Sequence, residues 1–351
     1  MSGQTQRAGD NAKQIMVAGD FNENITLDQA MEVAELVARR VVSEHFEKAD
    51  ALGVVRIEKL NERVLNRLNA LDKLSAFADP AFQVLLRKAH IGAASTERDG
   101  DYDMLSELLT QRVERGDDRP IRAGIDRAVQ VVDLLDSQAL NGLTVLQAAS
   151  QFSPASGQVE FGLATMDRLF GQFEMEDLPE GFDWLDHLDL LDAVRASRSG
   201  TLRRFADYYG ESKTPGYLAS GISSELVDGV LDNQGGNILR KAVIDHELKP
   251  GFSRVGHPSL GSLEKALEAF RDEAEVAEAI TLAKGTFGLG SVDPDLKEQF
   301  ASALDAKPNL AILRAWWDAI PGSVHVTPVG RVLAVANAKR CDEVGLLPPL
   351  D

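Results

Sequence analysis

Apolar or tolerated residues near the start of the chain recur at helical spacing. Leu27, Met31, Ala34, Ala38, Val41 and His45 stand at intervals of 4, 3, 4, 3 and 4 residues, the seam of a heptad repeat. Thr26-Leu27-Asp28-Gln29 reads as a capping box that opens this helix. Asp28 and Glu32 fall where the helix dipole favours anions. Gly53 interrupts the pattern, which resumes through Ile57, Leu60, Val64, Leu68, Leu71 and Leu74 to Phe77. Asp79-Pro80 then stops it, because the residue before proline avoids the α region. About 50 helical residues would span roughly 75 Å. That length without interior caps fits either a coiled-coil arm or a helix laid along a bundle. His45 is expected to be a packing histidine of the apolar face.

Helical patterns continue at Pro80–Ile91, Asp101–Arg115, Arg119–Leu135 and Ser137–Gln151. Ser153-Pro154-Ala155-Ser156-Gly157 reads as a boundary. Beyond it, helices are expected at Val159–Phe173, Gly181–Ala196, Gly200–Tyr209, Ile222–Leu231, Ile238–Val243 and Leu263–Ala283. Two more are expected at Asn309–Ile320 and Val329–Lys339, around one extended piece at Ser323–Thr327. Helical hairpins on short loops make an α-bundle or α-solenoid the natural class, with no 34- or 40-residue repeat period. Trp316 and Trp317 point about 100° apart on a helix, so one is expected in the core and the other at an interface or partly buried. Helix, turn, strand, Thr327-Pro328-Val329-Gly330 and helix resembles the closing part of a winged-helix unit. Only Arg331, Lys339 and Arg340 offer cations there, so a packing or oligomerisation module is expected instead of a DNA contact.

Before the long helix the pattern changes to a short repeat of period ten. Ala8-Gly9-Asp10-Asn11-Ala12-Lys13-Gln14-Ile15 aligns with Ala18-Gly19-Asp20-Phe21-Asn22-Glu23-Asn24-Ile25. Gly-Asp supplies turn chemistry, and Gln14-Ile15-Met16-Val17-Ala18 is a strand candidate with Ile15 and Val17 on one face. A unit this short buries too little apolar area to offset its ordering entropy. It is expected to pack on its own chain or to stack with copies of itself through carboxamide ladders.

This stretch resembles the short amyloid-type signalling motifs at the termini of bacterial conflict proteins, which are similar to the RIP homotypic interaction motif of animal necroptosis. Val17-Ala18-Gly19-Asp20-Phe21-Asn22 supplies Val-x-Gly-x-x-Asn, with Gln14 beside Ile15 and the small Ala18 where that motif carries a branched residue. A Gly-Asp-Asn/Gln-Ile repeat running into a long helix and an all-helical body also resembles an uncharacterised family of bacterial proteins of about this length. That resemblance implies a link to bacterial defence and no assigned catalysis.

Composition narrows the chemistry. The 351 residues carry 37 Lys+Arg against 55 Asp+Glu, a net charge of −18. Such a surface repels phosphate backbones, so no nucleic-acid partner is expected without a local basic patch. One cysteine, Cys341, excludes an intrachain disulfide and a multi-cysteine zinc site, and reads as a plain thiol. No secretory signal and no run approaching 18 apolar residues is present, which leads to the expectation of a cytoplasmic protein. Gly285-Thr286-Phe287-Gly288-Leu289-Gly290 follows a helix and reads as its C-cap and loop, since a dinucleotide fingerprint needs a strand before it. Ser259 lacks the spacing of a nucleophile elbow. Asp183 with His187, and Asp245-His246-Glu247, are local carboxylate–imidazole groupings of the kind that 55 acids produce by chance.

The combined reading is a mainly α protein with four parts: a β-repeat motif (1–26), a long coiled-coil-like helix (27–78), a helical subdomain (79–152) and a helical C-terminal domain (153–351). Its expected function is non-enzymatic self-assembly in bacterial defence, without cofactor or metal. The partner is itself, with a further protein partner possible in such a system. The assembly residues are Asn11, Gln14, Ile15, Val17, Gly19, Asn22, Asn24, Ile25, Leu27, Met31, Ala34, Ala38 and Val41. A structural stalk and an enzyme with a dispersed site in the helical body are the alternatives.

Overall fold

The computed structural model describes residues 27–342 and 345–350, with the side chains of residues 27–30 and of Glu44 outside that description. The β repeat of residues 1–26 therefore lies outside the described residues. The chain divides into two compact units, residues 1–54 and 55–351.

Helix α1, Leu27–Ala70, runs through Gly53. One interior glycine costs only about 1 kcal/mol relative to alanine, too little to break a helix held elsewhere. The expected end at Phe77 is also corrected. Asp72 takes φ 55, the left-handed region that Asp tolerates, and Leu74–Ala78 forms a 3-10 turn. Within residues 55–351, Leu60, Val64 and Leu68 of α1 are fully buried, one turn apart. They join the core beside α2 (Pro80–Ser95) and α3 (Asp99–Arg115). Flanking the seam is a ladder of ion pairs: Arg56–Glu97 at 2.8 Å, Lys59–Asp99 at 3.2 Å, Arg63–Asp103 at 2.8 Å and Arg67–Glu107 at 2.6 Å. The partners are separated by 40 or 41 residues each time, so this part of α1 and α3 run parallel. Most rungs are solvated and contribute under about 1 kcal/mol each. Glu107 is the exception: it is nearly buried, and Lys339 Nζ also reaches it at 2.7 Å.

The remaining helices are α4 (Arg119–Ala128), α5 (Ser137–Gln151), α6 (Val159–Phe170), α7 (Asp183–Leu190) and α8 (Phe205–Ser212). Then come α9 (Val227–Val230), α10 (Gln234–Leu239), α11 (Leu260–Leu267), α12 (Glu273–Gly285), α13 (Lys297–Asp305), α14 (Pro308–Ala319) and α15 (Pro328–Cys341). Aspartates open several of them. Asp79, Asp118, Asp136 and Asp272 each accept a backbone N–H of the first turn, placing negative charge at the positive end of the dipole.

Five short strands are present among the described residues, more than the single extended piece expected. β1 (Val194–Ser197) pairs antiparallel with β5 (Ser323–Val326), in register Val194↔Val326. β2 (Ile222–Ser223), β3 (Val243–Asp245) and β4 (Phe252–Val255) form a sheet in the order β2-β4-β3. The expected helix at Gly181–Ala196 is thus helix followed by strand. Those at Ile222–Leu231 and Ile238–Val243 each exchange one end for a strand. Short apolar runs cannot be told apart by periodicity, and distant partners decided them. Leu263–Ala283 is two helices, and α13 was not anticipated.

α15 is buried along most of its length against α3, α4 and α5. The strand before it, β5, pairs with the distant β1 rather than with a neighbouring wing, and a buried helix cannot enter a DNA groove. The resemblance to a winged-helix unit is therefore overturned. Trp316 and Trp317 are both buried, contrary to the expected division between core and interface. They serve two aromatic clusters: Trp316 lies 5.9 Å from Trp184, and Trp317 stacks on Tyr208 at 5.3 Å.

The buried α1 seam should carry measurable stability. Leu68→Ala is expected to cost about 2–5 kcal/mol. Leu65→Ala, on an exposed position of the same turn, should stay within about 0.5 kcal/mol of wild type. Urea unfolding followed by circular dichroism checks both.

Candidate functional site

Helix residues 31–54 carry an unusual load of exposed apolar side chains. Met31 and Val41 of the predicted seam are exposed, as are Ala34 and Ala38. The side chain of Leu27 falls outside the description, and Asn11, Gln14, Ile15, Val17, Gly19, Asn22, Asn24 and Ile25 lie outside the described residues. Heptad reasoning missed Val33, Leu36, Val37, Val42 and Phe46, which are also exposed, Phe46 by 72%. At 100° per residue most of this set covers an arc of roughly 220°, from Val33 round to Phe46. Glu32, Arg39, Ser43 and Glu47 occupy the remaining face together with Leu36, while Glu35, paired with Arg39 at 2.7 Å, sits inside the arc near its Phe46 edge. His45, expected to pack on the apolar face, is exposed in the single chain. An arc this wide exceeds the narrow stripe of a two-stranded seam and matches a helix that meets more than one neighbour.

A second concentration of function-bearing side chains surrounds Arg254 on β4, which is fully buried. Its Nη1 donates to the carbonyls of Gly216 at 3.3 Å and Val255 at 3.2 Å. Its Nη2 donates to the Gly157 carbonyl at 2.7 Å and to Glu247 Oε2 at 2.6 Å. Tyr217 lies beneath the guanidinium at 5.5 Å and donates to the Ser156 carbonyl. Burial pushes the Tyr217 hydroxyl well above its ordinary range, against the pull of Arg254. Glu247 Oε1 accepts from the Val159 backbone at 2.9 Å. The predicted boundary at 153–157 is therefore stitched to the β-sheet by one arginine. Both Nη atoms are committed to carbonyls and one carboxylate, while the buried Nε has no partner among the described residues, and the cluster acts as a staple.

The carboxylate–imidazole groupings are engaged with backbone. His187 Nε2 accepts from Asp136 N–H at 3.2 Å, and no contact between His187 and Asp183 is recorded among the described residues. His246 bonds the Ala219 carbonyl through Nε2 at 2.8 Å and accepts from Leu248 N–H at Nδ1. Among the described residues no group of three or more His, Cys, Asp or Glu could hold a metal ion. Ser259 caps α11 in a box with Ser262. Cys341 is half-buried, and burial pushes its thiol up. The glycine segment ends α12, with Gly288 and Gly290 at positive φ and Phe287 and Leu289 buried between. Several pockets open in the body, two of them walled by aromatic side chains. One, of 740 Å³, is walled by Trp184, Trp316 and Ile312. The other, of 510 Å³, is walled by Tyr208 and Trp317.

Burial holds His90, His246 and His257 below the ordinary imidazole range; at His246 the bond to Ala219 acts against it. The unfolded chain therefore binds more protons than the folded one once pH falls below about 6.5. The urea midpoint should be level above pH 7 and fall as pH drops from about 6.5 through the depressed folded values. His246→Gln should flatten that slope.

No curated protein and no solved structure matches the chain. No described helix is long and apolar enough to cross a membrane. A family model covers residues 24–345, from just before α1 through the end of α15. The chain belongs to that family, one without an assigned function.

Proposed function

We propose that this protein is a non-enzymatic, self-assembling signalling or effector component of bacterial defence against phage. The observation that carries the reading is the arc of exposed apolar side chains from Val33 to Phe46. Each Val, Leu or Phe gains about 1.5–3 kcal/mol when fully buried, and water exacts that free energy while the face stays bare. Copies of the same helix provide a self-complementary cover, since a bundle of identical helices buries the arc on every subunit at once. An arc wider than an a/d seam favours three or more helices over two. A parallel bundle gathers the 8–25 repeats at one end, where stacking satisfies their carboxamides. The place in defence rests on the resemblance of that repeat to amyloid-type signalling motifs. The 55–351 body then transmits or receives the signal.

Light scattering of the full chain should give a mass several times 38.1 kDa. Val37→Glu with Val41→Glu places charges in the arc and should return the particle to a single copy, with the helical circular dichroism retained. Equal masses for the two proteins would overturn the assembly. In a phage-challenge assay, cells expressing the chain should survive better than cells without it, and the double variant should lose that protection.

A further inference from the structure

Two neighbouring pockets in the body share Arg331, in the first turn of α15. The larger, of 510 Å³, lies between the end of α5, the 201–203 segment, Tyr208 and β5. The smaller, of 300 Å³, lies between α4 and α15. None of the side chains lining either pocket is Asp or Glu. In a chain with 55 acids and a net charge of −18, that is a local reversal of the field. Arg331 is exposed and has no carboxylate or hydrogen-bond partner among the described residues. Arg203 lines the same pocket and is paired with Glu211, which lies outside the lining. His325 is the exposed residue of β5 and lines the same pocket. Lys213 donates to the carbonyl of Ser150, a lining residue, and has no carboxylate partner among the described residues.

The opposite wall is aromatic. Tyr208 and Trp317 stack with 14° between their planes. The Trp317 indole N–H is spent on the Arg203 carbonyl at 2.9 Å and Trp317 is itself buried, so the ring surface of this wall is mainly that of half-buried Tyr208, backed by Trp317. Cation, aromatic surface and absence of acid together select an anion that carries a planar ring. A guanidinium fork matches phosphate oxygens in a bidentate geometry that a carboxylate-free pocket leaves unopposed. Bases of any identity stack on aromatic side chains, because every base has a π-face. A 510 Å³ pocket lies within the size range of small-ligand sites.

We propose that this pocket binds a small phosphorylated heteroaromatic ligand, a nucleoside monophosphate in size and charge, with Arg331 on the phosphate and the Tyr208–Trp317 pair against the ring. The site lies wholly within residues 55–351 and does not depend on assembly through residues 1–54.

Isothermal titration of the full chain with the 5′-monophosphates of adenosine, guanosine, cytidine and uridine tests it. At least one should saturate with Kd below about 1 mM and bind roughly tenfold more weakly to Arg331→Ala, with Arg331→Lys between the two. Adenosine alone, inorganic phosphate and salicylate should each bind at least about tenfold more weakly than the best monophosphate. Arg87→Ala, at an exposed arginine outside these pockets, should bind as wild type does. No saturation by any monophosphate up to about 5 mM would overturn the proposal. So would an unchanged Kd in Arg331→Ala with native circular dichroism, or phosphate or salicylate binding as tightly as the monophosphate.

Discussion

Burial of a narrow apolar stripe on α1 sets the terms for this molecule. Leu60, Val64 and Leu68 repeat every fourth residue, so they form a ridge that one groove can cover. The groove is supplied by helices that follow directly in sequence, which keeps the closure entropy small. Ion pairs along one flank of the ridge fix which acid meets which base, and hence the parallel register of α1 with α3. Further along the same helix the apolar face from Val33 to Phe46 is several times wider. A single groove cannot cover such an arc. The two stretches therefore call for different partners, one within the chain and one proposed to be other copies of it.

The acidic composition is used in a specific way. Aspartates cap helices, and glutamates and aspartates of α3 receive the cations of α1. What remains gives an acidic surface on which a carboxylate-free pocket is conspicuous. Two arginines mark the two ways in which this protein departs from that surface. Arg254 is sealed inside, its two Nη atoms bound by carbonyls and one glutamate, and ties the 156–159 segment to β4. Arg331 lines a pocket with no hydrogen-bond partner among the described residues, and the inferred ligand chemistry follows from that difference.

The mainly helical class, the start of α2 at Pro80, the span of α5 and the C-cap reading of Gly285–Gly290 were legible because local signals set them. Those signals are 3.6-residue periodicity, proline at N1 and glycine at positive φ. The strands were not. β1 and β5 are four residues each and find one another across the chain, and an apolar run that short fits helix or strand equally well. Arg254 carried no sequence signal at all, because its role depends on a carbonyl that lies 97 residues away in the chain.

The sequence by itself determined where helices with a local start signal begin, such as α2 at Pro80 and α5 at Ser137, that the chain is acidic, and that the first helix is rich in apolar residues. These are properties of neighbours along the chain. Only the tertiary structure decided which apolar turns of α1 are covered, that both Trp316 and Trp317 are buried, and that Arg331, His325 and Tyr208 share one pocket. The reason is physical: burial and charge complementarity depend on distances in space, and residues far apart in sequence acquire those distances only when the chain has folded.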